Sequence, residues 1–125
     1  MCGNAVYDPS MIGAPVHTVV ETPGFTAQLG KFGVSRSERE AIYDQYAIMP
    51  EFGAIVRRTG GLRKGRIAKD GTGKSGGYRV FSFFANRDHP VFLLWIIDKA
   101  DDANLTDAQE QQFRKITTLL KSECR

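Results

Sequence analysis

The chain has little of what many small functional sites need. It holds two cysteines, Cys2 and Cys124, at opposite ends of 125 residues and in no CxxC pattern. That spacing argues against a zinc or redox motif and makes free thiols the expectation. Its two histidines, His17 and His89, stand alone rather than in HxH or HExxH settings, so zinc lacks ligands and we expect no metal and no cofactor. No run approaches the roughly 18 unbroken apolar residues of a membrane span. The N-terminus lacks a basic region followed by a long apolar one, which makes it a poor secretory signal. A cytoplasmic protein is expected, with no membrane partner.

Charge is distributed unevenly. Overall the chain carries 17 basic and 14 acidic residues, a net +3. Between Arg57 and Arg79, RRTGGLRKGRIAKDGTGKSGGYR holds eight of those bases, seven glycines and one acid, Asp70. This stretch is therefore +7 and the remainder −4. A local cationic, glycine-rich segment in a mildly acidic chain is the footprint of a polyanion site, nucleic acid first among them. Charge for solubility alone is the plainer alternative.

The length suits one domain. Residues 1–16, rich in Gly, Pro and Asn, read as a flexible leader before a domain spanning 17–125. HTVVE, residues 17–21, suggests a strand and Pro23-Gly24 a turn, with a short helix over 25–32. Ser35 with Glu38, and Ser37 with Glu40, are capping-box patterns opening a helix that Pro50 stops, with Ile42, Tyr46 and Met49 on one face. Tyr43 and Tyr46 read as packing at the core edge. Three antiparallel strands follow, over about 54–68 with a Gly60-Gly61 break, 77–84 and 91–97. The unbroken apolar run VFLLWII marks the last as central and Trp95 as core. Thr106 with Gln109 caps a final helix carrying a Phe113, Ile116, Leu120 stripe. The expected fold class is α+β, a small antiparallel sheet with two N-terminal helices and a C-terminal helix packed on one face.

AKDGTGKS, residues 68–75, resembles a loose phosphate-binding P-loop, and Asp98 ends an apolar strand as a magnesium-binding Asp does. The P-loop mechanism requires a helix beginning at the GKS so that its amides face phosphate. GGYRVFSFF follows instead, a strand sequence, so that reading is set aside.

Strand alternation places Lys64 and Arg66 on one face and Ile67 on the other. Arg79, at the start of the next strand, is expected beside the two cations, with Lys69 and Lys74 on the connecting loop. Such a cluster grips phosphate, and it can also cleave RNA without metal or histidine. Attack by a 2′-hydroxyl needs a base, neutralisation of the phosphorane and an acid for the leaving oxygen. Crowded like charges ease deprotonation of a lysine, which makes Lys64 the candidate base. Arg66 and Arg79 suit the phosphorane.

The stretch TGGLRKGRIAKDGTGKSGGYRVFSFF, residues 59–84, with the preceding MPEFG and the later LLWIIDK, resembles the HigB-like branch of the RelE superfamily of bacterial type II toxins. The resemblance implies a RelE-like fold and a metal-independent endoribonuclease that enters the ribosomal A site and cuts mRNA, held inactive by a cognate antitoxin. It maps catalysis onto Lys64, Arg66 and Arg79, with Lys99 as acid or phosphate ligand and Arg63, Lys69 and Lys74 on the RNA backbone. Relatives often carry an aromatic or further basic residue at the end of the last strand, where this chain has Ile97, Asp98 and Lys99. Alternatives are a toxin of the same fold acting on DNA gyrase, or a binding module without RNA cleavage.

Overall fold

The computed structural model describes residues 5–7, 17–70, 77–98 and 105–124. Along the chain these form β1 (Ala5–Tyr7), β2 (Val19–Glu21), α1 (Pro23–Lys31), α2 (Arg36–Ile48), β3 (Ala54–Ile55), β4 (Arg63–Ile67), β5 (Tyr78–Phe83), β6 (Val91–Asp98) and α3 (Asp107–Glu123). The fold is α+β, as expected. The six strands lie in the order β1-β2-β6-β5-β4-β3. Every neighbouring pair is antiparallel except β2 with β6, where Val19 stands opposite Val91, so the sheet is mixed. β1 falls within the segment read as leader, and for those three residues that reading gives way to an edge strand on β2.

The expectation that all helices cover one face is corrected. β6 is apolar at consecutive positions because it feeds two cores. Val91, Leu93 and Ile96 face Phe25, Leu29, Ile42 and Tyr46 of α1 and α2. Phe92 and Leu94 face Phe113 and Leu120 of α3 on the other side. Burial of each such side chain stabilises by about 1.5–3 kcal/mol, so β6 holds both layers together.

Local chemistry sets the helix ends. Pro23 opens α1 rather than ending a turn, because its fixed φ suits a first helical position and its missing N–H costs nothing there. Ser35 and Glu38 form the capping box of α2, and Thr106 and Gln109 that of α3. Met49, placed on the buried face by spacing, is 51% exposed, since α2 stops at Ile48 and the backbone turns away there. On α3 it is Thr117 that packs inward between Phe113 and Leu120, its hydroxyl donating to the Thr59 carbonyl at 2.6 Å, while Ile116 stays 36% exposed.

One irregularity decides which residues share the far end of the sheet. Phe81 pairs with Trp95, but the next residue, Ser82, pairs with Leu93. Leu94 is therefore an extra residue, a β-bulge, and it shifts the alternation of β6 by one. Leu94 and Trp95 both face α3, and Ile97 follows them. Trp95 is only half-buried there, against Phe113 at 6.2 Å between ring centroids.

Candidate functional site

Two cross-strand rows occupy the α3 face of the sheet toward its open end. Lys64, Phe81 and Trp95 lie opposite one another in the first, and Arg66, Arg79 and Ile97 in the second. Phe81 stacks on Phe113 of α3 at 6.0 Å, so the first row is still under the helix. In the second row Arg66 is exposed and Arg79 half-buried.

Directly opposed residues have Cα atoms about 5 Å apart, and like charges there are destabilising. Neither Arg66 nor Arg79 has an acidic partner among the described residues; Arg79 makes one long contact, 3.5 Å, to its neighbour's carbonyl at Tyr78. The sheet thus sets two arginines directly opposite one another with no acidic partner for either among the described residues. Lys64 lies on the same face, one diagonal step from Arg79.

The other expected contacts part company with this trio. Arg63 alternates to the opposite face, where it donates to the Gly53 carbonyl at 3.0 Å and pairs with Glu51 at 3.5 Å. Lys69, read as a loop cation, is fixed on that same side: its ammonium pairs with Asp98 at 2.9 Å and lies over the Tyr78 ring at 5.6 Å. Lys74 and Lys99 fall outside the described residues. Residues 78–83 are strand, and the absence of a helix there removes the structural basis of the P-loop reading.

Glu38 is a structural residue that sequence reasoning saw only as a cap. It is 5% exposed and joins three elements. Its carboxylate accepts from the Ser35 amide at 2.8 Å, the Asp70 amide at 2.8 Å and the Tyr78 hydroxyl at 3.1 Å. Asp70, the lone acid of the basic stretch, accepts from the Ser37 hydroxyl at 2.8 Å. The chain is thereby pinned to α2 at Asp70 and again at Tyr78, one residue before Arg79. Nothing in the spacing of Glu38 and Tyr78 announces this contact.

Burial works to raise the Glu38 pKa, but the hydrogen bonds from the Ser35 and Asp70 amides and the Tyr78 hydroxyl outweigh it and hold it below the ordinary 4.5. A lowered folded value means stability that is present above the unfolded pKa and lost as pH falls through the folded one. Urea denaturation between pH 6 and pH 3 is expected to show acid destabilisation that is shallower in Glu38→Gln. The difference in slope should stay under about 1.4 kcal/mol per pH unit, the value for one proton. Equal acid slopes in the two proteins would remove Glu38 from the account.

The molecule is a small α+β protein that packs helices on both faces of a mixed sheet and sets two arginines opposite one another toward one open end. A family model described as the RelE toxin of the RelE / RelB toxin-antitoxin system matches residues 51–125, which carry β3 to β6 and α3. The chain belongs to this family of toxins. Membership implies a cognate antitoxin as partner. Among the described residues no helix is long and apolar enough to cross a membrane.

Proposed function

We propose that this toxin is a metal-independent endoribonuclease of the HigB-like branch that cuts mRNA in the ribosomal A site. The observation that carries the reading is the directly opposed Arg66 and Arg79 beside Lys64 on one sheet face. Two fixed positive charges match the phosphorane, whose extra charge develops only as the 2′-oxygen attacks. Lys64 takes the 2′-hydroxyl proton as general base, and Arg66 and Arg79 bind the equatorial oxygens. The products are a 2′,3′-cyclic phosphate and a free 5′-hydroxyl. Lys99 is the proposed donor to the leaving 5′ oxygen, and Lys74 a grip on the backbone. Arg63 and Lys69, each already paired with a carboxylate on the opposite face, are assigned to structure instead.

Ribosomes programmed with a defined mRNA test this. The purified protein is expected to cut the message only when ribosomes are present, leaving cyclic-phosphate ends, and the cognate antitoxin should abolish the cut. Growth arrest with intact mRNA would transfer the activity to another target, DNA gyrase included.

A further inference from the structure

The basic stretch also builds a cationic tip at the other end of the sheet. The turn between β3 and β4 carries Arg57 and Arg58, both exposed, and the turn between β5 and β6 carries exposed Arg87 at the same end. Lys121 of α3 reaches toward Gly60: a Cβ placed on that glycine would come within 3.6 Å of its ammonium. None of these four cations has an ion-pair partner among the described residues. Asp88 is the acid on the β5–β6 turn.

The tip is rigidly made. Val56 donates to the Leu62 carbonyl at 2.8 Å to close the turn, the Thr59 hydroxyl donates to the Val56 carbonyl at 2.6 Å, and Thr117 ties the Thr59 carbonyl to α3. Beside it runs a groove of about 440 Å³ lined by Gly60, Gly61, Asn86 and Lys121, with Phe83 at its wall. Arg58 has φ 65, a left-handed conformation that favours glycine, and it is the one non-glycine described residue with positive φ. The chain keeps a long cation where a glycine would relieve strain, next to two glycines that already adopt positive φ. Strain retained at an exposed, unpaired arginine points to a ligand.

We infer that this tip is a second RNA-phosphate site, separate from the scissile-phosphate cluster and gripping the phosphodiester backbone by Arg57, Arg58 and Lys121. It lies roughly 17 Å from Arg66, counting five residues of strand at about 3.3 Å each. One phosphate cannot bridge that span. The two sites hold different phosphates, and the tip supplies affinity rather than chemistry. The inference rests on the reading that the ligand is RNA. Its phosphates come either from the message or from ribosomal RNA.

The test uses Arg58→Gly and the double variant Arg57→Ala/Arg58→Gly, measured for binding to ribosomes and, separately, to a short single-stranded RNA. Arg58→Gly relieves the strain, so its melting temperature is expected to match or exceed that of the parent, and weaker binding then cannot be put down to misfolding. The double variant should bind at least about tenfold more weakly near physiological salt. Its plot of log K against log salt should be shallower by about 1.5, as for two lost phosphate contacts. Loss toward ribosomes alone assigns the phosphates to ribosomal RNA, and loss toward both probes assigns them to the bound strand. Parent affinity and parent slope with both probes would overturn the tip. A parent protein that shows the salt-steep, tip-dependent binding but cuts no message keeps this site and loses the cleavage reading. One that cuts message while the tip variants bind normally does the reverse.

Discussion

Arg66→Ala and Arg79→Ala are each expected to lower cleavage of ribosome-bound mRNA by about a hundredfold or more while leaving the protein as stable as before, or slightly more so. The two outcomes have one cause. Each arginine stands opposite the other across β4 and β5 with no acidic partner among the described residues. In the free protein they repel, and removing either one is worth a few tenths of a kcal/mol up to about 1 kcal/mol in favour of folding. In the proposed reaction the same pair meets a phosphorane in the transition state, and deleting one such preorganised donor costs roughly 10²–10³ in rate. Single-turnover cleavage and urea denaturation on the same preparations check both halves. Arg79→Lys keeps the charge but not the planar fork and should recover only part of the rate. Full activity in Arg66→Ala/Arg79→Ala would remove the cluster from catalysis.

The largest loss of stability is expected at the opposite side of the sheet, from Arg39→Ala. Glu21 at the end of β2 is 0% exposed, an ionisable group placed where only a well-made partner set can hold it. Arg39 of α2 supplies the charge, donating from Nη2 to Oε1 at 2.6 Å and from Nε to Oε2 at 3.1 Å. The Tyr43 hydroxyl donates to Oε2, and that of Thr26 to Oε1 at 2.5 Å. Four donors from α1 and α2 thus meet one carboxylate of β2. Removing one partner of a buried pair costs about 3–5 kcal/mol, and because the Arg39 side chain is 39% exposed the lower end applies. Chemical denaturation should show the midpoint falling with little change in slope. Replacing both members, Glu21→Met/Arg39→Met, should restore most of the loss, since it is the orphaned charge that costs.

Much of this was legible in the sequence where a pattern is local. The capping-box patterns mark where two helices begin, the structure choosing Ser35 over Ser37 for the first and keeping Thr106 for the second, and alternation brings Lys64 and Arg66 to one face with Arg79 beside them. The run VFLLWII correctly marks a strand buried on both sides. What the sequence could not show is which side each helix takes, because an apolar strand fits one covering layer or two. The bulge at Leu94 is equally silent: it lies among apolar residues of similar size, and only pairing with β5 reveals that Trp95 and Ile97 have changed sides. Arg63 and Lys69 read as RNA contacts because their charge is visible and their carboxylate partners, Glu51 and Asp98, are distant in sequence. Glu38 was visible only as a cap for the same reason.

The parallel pairing of β2 with β6 has a consequence for the order in which the protein is made. Val19 finds its neighbour only when Val91 has been synthesised, so most of the chain leaves the ribosome before the sheet can close. β4 and β5 pair locally and early, but their apolar faces are sealed only by β6, α3 and the two N-terminal helices. Long-range pairing of this kind folds slowly, because the entropy of closing the loop is spent before the contacts reward it. The layered core is therefore a late event in the life of the chain, and an incomplete toxin has no assembled support for the arginine row.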